Sequence, residues 1–558
     1  MRYFAVLASL FCLLSVAFAA WGHTDDGSNY VIDTNANLVV KVSKENGDMT
    51  SIVYRGVEYN GQNGKNSQVE NGLPGATVSI KNEGSNVIKV TAELGTLTHS
   101  LVFRNGNPNV YIFINKVDLS IPASRYTVRI PPGIFKRDGQ ADWAPEIAVA
   151  GEWGDIESYS GLTWSKHYTG RNYGRTMDYD YIGYQNANVG MYLIRSNREK
   201  SSGGPFFRSM LRRGGPDGND LYEIFSTTQG HTEILRLGLH GPSVLAFTDN
   251  GAPPNKYLFA RNAELGWVDS INIKGWVPAS RRGSIYSGGV DNKKSEYKYT
   301  IGLKNKQAQY WADGNNGIWR INGVLPGTYV LTAYKNELEV AVSTVIVYPG
   351  ETATPKMLVP VDPSDENPLW RIGDWDGTPQ GLLNFEDTPM KPTYMHPSDY
   401  RRLHKWDQGI YRVGISNSSL FPGYLWRDIN DDRRIIFLME EKQRLHGMTI
   451  RLGVTQGQAG GRPQVSLNGK ICPLNNVRPQ SRNRTLTIGN YRGNNHMYEF
   501  EILASQYTAD FVQEMRIEVV SDDPVIIDEN GARHKGHGYL SPGFSIDCID
   551  AILSLLYS

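Results

Sequence analysis

Val87-Ile88-Lys89-Val90-Thr91-Ala92 and Thr98-His99-Ser100-Leu101-Val102-Phe103 are followed, across Arg104-Asn105-Gly106-Asn107-Pro108, by Val110-Tyr111-Ile112-Phe113-Ile114. β-Branched and aromatic residues dominate these runs. Asn, Gly and Pro separate them. Runs this short, bounded by turn formers, read as neighbouring strands and not as helices. The texture extends backward to Leu38-Val39-Val40-Lys41-Val42 with its turn Glu45-Asn46-Gly47-Asp48, and onward to about Asn272. It predicts a large all-β meander or sandwich over residues 21–272.

From 273 to 360 the strands become sparser. Gly275-Trp276-Val277, Ala308-Gln309-Tyr310-Trp311 and Val345-Ile346-Val347-Tyr348 read as short strands. Leu325-Pro326-Gly327-Thr328-Tyr329-Val330-Leu331-Thr332-Ala333-Tyr334 reads as a turn feeding a strand whose inward face is Tyr329, Leu331 and Ala333. The size and spacing predict a small fibronectin-like or immunoglobulin-like sandwich. Residues 361–368, polar and flanked by Pro363 and Pro368, read as a linker. Residues 369–558 carry Ile435-Ile436-Phe437-Leu438, Met448-Thr449-Ile450-Arg451-Leu452-Gly453 and Met515-Arg516-Ile517-Glu518-Val519-Val520, and predict a jelly roll. The best helix signal starts near Pro397-Ser398-Asp399.

A chain of 558 residues is too long for one ordinary core. Its 57 basic and 57 acidic residues cancel and no polybasic tail appears, so nucleic acid is not an expected partner. The 31 Tyr, 12 Trp and 58 Gly suit a β-rich protein that touches sugars, and suit any β-rich globular protein equally well. Arg2, the apolar run Val6–Val16 and Ala17-Phe18-Ala19 predict a cleaved secretory leader over residues 1–20. No later stretch of about 18 apolar residues follows, so a secreted, soluble chain is expected. Cys12 leaves with the leader. Cys472 and Cys548 fit either one bridge or two buried thiols. Asn417-Ser418-Ser419 and Asn483-Arg484-Thr485 are glycosylation sequons.

Between Gly161 and Pro242 the strand background is broken by Thr163-Trp164-Ser165-Lys166-His167-Tyr168, Ser201-Ser202-Gly203-Gly204-Pro205-Phe206, Gly230-His231-Thr232-Glu233 and Gly238-Leu239-His240-Gly241-Pro242. Lysine, histidine, arginine and aromatic residues among glycines have the look of a carbohydrate-cleaving cleft.

With these motifs, and with Tyr30-Val31-Ile32-Asp33-Thr34-Asn35, Pro326-Gly327-Thr328-Tyr329, Ile372-Gly373-Asp374-Trp375-Asp376-Gly377, Met395-His396-Pro397-Ser398-Asp399, Ala459-Gly460-Gly461-Arg462-Pro463-Gln464, Asn490-Tyr491-Arg492-Gly493 and Leu540-Ser541-Pro542, the chain resembles the fungal-type rhamnogalacturonan lyases of polysaccharide lyase family 4. The resemblance spans essentially the whole mature chain. It implies a β-sandwich catalytic domain, a fibronectin-III-like domain and a carbohydrate-binding-like jelly roll. It also implies β-elimination at the rhamnose–galacturonate bond of the pectic backbone.

That chemistry needs a base for the C5 proton, a counter-charge for the uronate carboxylate, and a proton for the oxygen leaving C4. The resemblance makes Lys166 the base. A lysine can serve only if burial or nearby cations lower its pKa; as a bare residue it is more often a solvated charge. Arg125 and Arg129 sit four apart in Ser124-Arg125-Tyr126-Thr127-Val128-Arg129, on one face of a strand. The resemblance places both in the cleft, where a guanidinium fork suits a carboxylate. Two outward-facing arginines of an amphipathic strand would read the same way.

His231 matches the family's catalytic histidine, and Tyr222 a cleft tyrosine. A second cleft tyrosine is replaced here by Ile224 or Phe225, and the interval from Tyr222 to His231 is longer than the family pattern. His240 reads as a structural, buried histidine. Arg195, Arg198, Lys200, Arg208, Arg212 and Arg213 form a basic run that suits an acidic polymer or a solvated loop. Trp153, Trp164, Tyr168 and Tyr173 suit sugar stacking or core packing.

No cofactor is expected for the chemistry. Asp374, Asp376 and Asp547 are candidates for a structural calcium site in the jelly roll. The expected partner is acidic cell-wall rhamnogalacturonan I, acted on by a monomer. The alternatives are a catalytically silent pectin-binding protein of the same fold and a two-carboxylate hydrolase, for which Glu233 is available but no pair stands out.

Overall fold

The computed structural model describes residues 21–121, 125–136, 147–148, 156–159, 162–165, 175–195, 198–200, 202–207, 209–215, 217–225, 235–258, 265–383, 385, 409–427, 430–458, 460–474, 495–521, 525–527, 533–535 and 542–554. Among these residues the chain is all-β, and its helical pieces are 3-10 turns of three to five residues. The leader and the helix expected near Pro397 lie outside the described residues.

The strands that open the sequence reading lie at the centre of the first domain. A seven-stranded sheet runs in the order Tyr181–Gln185, Val189–Ile194, Gly238–Asp249, Asn109–Lys116, Leu97–Arg104, Val87–Leu94, Thr77–Asn82. All eight residues of Asn109–Lys116 are buried. One face of this strand, Val110, Ile112 and Ile114, joins the main core with Leu38, Val40, Ile52, Val128 and Leu221. The other face, Tyr111 and Phe113, packs with Val268, Ile271, Ile273 and partly buried Trp267 and Trp276. A strand buried on both sides has no reason to alternate, which explains its continuous apolar run. Burying each such side chain contributes roughly 1.5–3 kcal/mol.

Gly275-Trp276-Val277 is therefore not a strand. Trp276 sits in a loop, edge-on to Phe113 at 6.2 Å, and donates its indole N–H to Asp269 at 2.7 Å. The segment looks β-like because it is apolar, and it is apolar because it covers a sheet.

A five-stranded meander over Gly22–Glu58 completes the outer layer of the main core. A four-stranded sheet, Met210–Gly215, Gly218–Ile224, Arg125–Ile130 and Gln68–Val69, supplies the remaining layer and carries the candidate site. A three-stranded sheet ends at Leu162–Ser165.

The next unit is a sandwich of a three-stranded and a four-stranded sheet. Tyr329, Leu331 and Ala333 all point into its core, as the alternation required. The C-terminal unit pairs two five-stranded sheets around a third core. Cys472 and Cys548 are both buried and are not joined.

Residues 361–368 are pinned in place. The Lys335 ammonium donates to both Asp362 oxygens at 2.6 and 2.5 Å, and Asp362 caps the 3-10 turn Pro363–Asp365 through the Ser364 N–H. Arg451 of the jelly roll donates to the Pro363 carbonyl at 2.9 Å. This polar, proline-flanked piece is a clamp between two sandwiches.

Candidate functional site

Antiparallel register builds the candidate site. Arg125–Ile130 pairs with Gly218–Ile224 so that Arg125 faces Ile224, Thr127 faces Tyr222 and Arg129 faces Asp220. Tyr126, Val128 and Ile130 point the other way into the core, together with Leu221. The period of two thus places Arg125, Thr127, Arg129, Asp220 and Tyr222 on one face. On the far side of Gly218–Ile224, backbone register sets Asp220 opposite Arg213. Gln68 and Val69 pair along the other edge of Arg125–Ile130.

Three sequence-predicted residues meet here. Arg129 is buried, 6% exposed, and its Nη1 lies 3.3 Å from Asp220 Oδ1, 3.4 Å from the Tyr222 hydroxyl and 3.4 Å from Gln62 Oε1. Tyr222 donates its hydroxyl proton to Asp220 Oδ2 at 3.0 Å. Arg125 is half-buried, and its guanidinium carbon is 5.6 Å from the centre of the Tyr222 ring; that of Arg129 is 5.8 Å away. Two cations against one aromatic ring form a strongly positive wall, tempered by Asp220. Such a wall suits a uronate carboxylate and the charge that grows on it when C5 loses a proton.

Lys166 follows directly on the strand Leu162–Ser165, and it and His231 lie outside the described residues, as do Trp153, Tyr168, Tyr173 and Glu233. Of Trp164 only the backbone strand is described.

Asp220 and Gln62 were missed in the sequence. The only sign of Asp220 was that it precedes Tyr222 by two in a strand. Nothing local shows that a residue 91 positions away faces it across the ladder.

His240 is buried beside Phe225, with ring centres 5.3 Å apart. Burial, with Arg236 and Lys116 nearby, pushes its pKa well below the usual value, and it is neutral. Its Nε2 has no hydrogen-bond partner, so it is buried as expected but only partly satisfied.

Within the basic run, Arg195, Arg198 and Arg212 turn toward the protein rather than into solvent. Arg195 is 2% exposed and donates to the Thr176 carbonyl. Arg198 lies 3.5 Å above the Trp276 ring and donates to the Val277 carbonyl at 2.8 Å; burial lowers its pKa to about 10. Arg212 donates to the Gly183 carbonyl at 2.6 Å. These side chains brace loops against the core. Arg208 and the side chain of Arg213 lie outside the described residues.

Asp376 and Asp547 do come together, but as acceptors. Asp547 Oδ1 accepts the backbone N–H groups of Asp376, Gly377 and Thr378 at 3.1, 2.8 and 3.2 Å. Asp376 Oδ1 accepts from the Thr378 N–H and hydroxyl at 2.8 and 2.7 Å, and its Oδ2 accepts from Asn336 Nδ2 at 2.8 Å. Asp374 is exposed. Among the described residues no three His, Cys, Asp or Glu side chains are arranged to hold a metal. Oxygens already aimed at by N–H donors do not fit a calcium cage, which needs six to eight oxygen ligands and no donors. The arrangement is a hydrogen-bonded clasp between the middle and C-terminal units.

Comparison with known proteins agrees with the architecture. The family described as rhamnogalacturonan lyase B, N-terminal, matches residues 21–275. Polysaccharide lyase family 4 domain II matches 281–355, and domain III of the same family matches 368–550. Rhamnogalacturonate lyase A of Emericella nidulans is 31% identical, over 98% of this chain and 98% of its own. The protein of that name from Aspergillus aculeatus is 31% identical over 96% of this chain and 97% of its own. Probable rhamnogalacturonate lyase A of Neosartorya fischeri is 32% identical over 98% of both. Among solved structures, galactose 1-epimerase from Lactobacillus acidophilus covers 40% of this chain and 94% of its own at a TM-score of 0.22, too low to bear on function. By three matched modules and similarity along nearly the full length, the chain belongs to polysaccharide lyase family 4, among the rhamnogalacturonan lyases.

Proposed function

We propose that this protein is an endolyase that cleaves the rhamnose–(1,4)–galacturonate bond of the rhamnogalacturonan backbone by β-elimination. The observation that carries the reading is near-full-length similarity to rhamnogalacturonate lyases, joined to a sheet face that sets Arg125, Arg129 and Tyr222 side by side. Such a wall has no obvious use in a neutral-sugar hydrolase. A base removes the C5 proton, and the C–H electrons form the C4=C5 double bond. The C4–O bond breaks and the departing rhamnosyl oxygen takes a proton. The cationic wall holds the carboxylate and the enolate-like charge spread onto it.

In this reading Lys166 is the base and His231 neutralises the carboxylate or supplies the proton, both on the strength of the resemblance. Arg125, Arg129 and Tyr222 form the wall of the uronate-binding site. The substrate is a pectic polysaccharide. Action outside the cell as a monomer completes the proposal. The extracellular part of the reading is supported by the leader-like first twenty residues and by the sequon Asn417-Ser418-Ser419, whose Asn417 is exposed. No helix among the described residues is long and apolar enough to cross a membrane.

The test follows ultraviolet absorbance of the unsaturated uronide on rhamnogalacturonan and on homogalacturonan. Absorbance should rise on the first alone. Lys166→Ala should cut the rate by about 10²–10⁴, the worth of a positioned base. Polymer binding without any rise would leave the silent binder instead.

A further inference from the structure

We propose that Asp220 is a positioning residue of the cleft and divides the work of the two arginines: it holds and neutralises Arg129, and it leaves Arg125 as the guanidinium that recognises the substrate carboxylate. The proposal rests on the uronate substrate of the preceding reading.

Asp220 is fully buried, and it uses both oxygens on its neighbours. Oδ1 takes Arg129 Nη1 at 3.3 Å, with the two side chains 0% and 8% exposed; Oδ2 takes the Tyr222 hydroxyl at 3.0 Å. Arg129 Nη1 also lies within 3.4 Å of the Tyr222 oxygen, which closes a triangle. Little water screens this pair, so the anion offsets the cation strongly. A guanidinium held in that way has little net charge to offer an incoming carboxylate.

Arg125 differs. It pairs with no carboxylate among the described residues, whereas Arg129 pairs with Asp220; the Nε of each arginine is without a hydrogen-bond partner. Its described ring contact is the face of Tyr222. Because the Tyr222 hydroxyl is tied to Asp220, that ring cannot swing, and Arg125 is stacked against a fixed plate. Asp220 thus acts on Arg125 through Tyr222 and on Arg129 directly.

The experiment measures binding of an acidic rhamnogalacturonan oligosaccharide and of its carboxyl-reduced, neutral counterpart by calorimetry at two salt concentrations. It uses the full chain carrying Lys166→Ala, so that nothing is cleaved. Arg125→Gln should cost about tenfold or more in affinity for the acidic ligand, little for the neutral one, and should flatten the salt dependence. Arg129→Gln should keep most of the preference for the acidic ligand.

Asp220→Asn should do what a merely destabilised cleft would not. It frees a second cation, so acidic binding becomes tighter and steeper in salt. Without Lys166→Ala the same substitution should lower kcat. The double variant Asp220→Asn/Arg129→Gln should return the salt dependence toward that of the parent. Loss of acid preference in Arg129→Gln but not in Arg125→Gln would overturn the proposal. So would an unchanged salt dependence in Asp220→Asn. Should Asp220→Asn fail to fold, the Arg125→Gln and Arg129→Gln pair decides alone. A parent that prefers the acidic ligand, in a protein whose wild type forms no unsaturated product, would sink the lyase reading and leave this division standing. A parent with no preference would sink the division itself.

Discussion

Arg125 and Arg129 show what two identical side chains become when their neighbours differ. Four residues apart on one strand, they look equivalent. Across the ladder one meets Ile224 and the other meets Asp220. The ion pair that results belongs to the register and not to either sequence segment. Asp48 makes the same point for titration. It is buried, with Asn46 Nδ2 2.9 Å from its Oδ2, and burial raises its pKa from 3.8 to about 7. A raised carboxyl holds its proton in the folded state where the unfolded chain releases it. Its stabilising contribution is therefore complete below about pH 4 and is lost as pH rises through about 7. Urea midpoints at about pH 4.5 and pH 7 should fall in the wild type relative to Asp48→Asn, which cannot titrate. Within that window the loss approaches about 1.4 kcal/mol per pH unit. Equal slopes in the two proteins would show that Asp48 ionises normally.

Among elements, the clasp is the sharpest case. Asp547 lies in the long strand Gly543–Leu553, and its Oδ1 gathers the N–H groups of Asp376, Gly377 and Thr378. The folded loop then reaches the turn after Gly327–Lys335, where the N–H groups of Glu337 and Leu338 donate to the Asp376 carbonyl at 2.9 and 3.1 Å. Gly377 has φ +81°, and a Cβ there would stand 2.4 Å from the Glu337 backbone, so no other residue fits. Three acidic residues suggested calcium, but the backbone donors decide otherwise. Chelator and added calcium should both leave the melting temperature unchanged. Asp547→Asn keeps an acceptor oxygen and should melt near the wild type. Asp547→Ala strands the buried N–H groups of Asp376 and Gly377, while the Thr378 N–H keeps Asp376 Oδ1, and should cost at least about 1–3 kcal/mol. A calcium-dependent rise in melting temperature would restore the metal site.

Over the whole molecule, the first sandwich and the middle one are joined by buried polar groups. Arg282 meets Glu199 with the two side chains 2% and 3% exposed. Gln309 receives the Gly204 N–H at 2.9 Å, and Phe206 stands edge-on to Tyr334 at 5.0 Å. Arg282→Ala would leave Glu199 buried without its partner, at a cost of roughly 3–5 kcal/mol. Calorimetry should then resolve separate unfolding of the two units where the wild type shows them coupled. A single unshifted transition would mean the interface contributes nothing to cooperativity.

Much of this was legible in the chain. Short apolar runs with Asn and Gly between them determine strands, because a pleated backbone repeats every two residues and needs nothing distant to do so. Those runs determined the all-β class, and the alternation in Tyr329, Leu331 and Ala333 determined which face is core. Motif order along the whole chain determined the family. What could not be read were pairings between residues remote in sequence. Asp220 beneath Arg129, Arg198 on Trp276 and Asp547 on the Asp376 loop all depend on which strands lie adjacent and in what register. A local window contains a side chain's charge but not its partner. Only the tertiary structure decided, by setting each charge against a particular donor or acceptor, that Arg195, Arg198 and Arg212 brace loops, that Asp376 and Asp547 form a clasp without Asp374, and that of two arginines on one strand Arg129 alone meets Asp220.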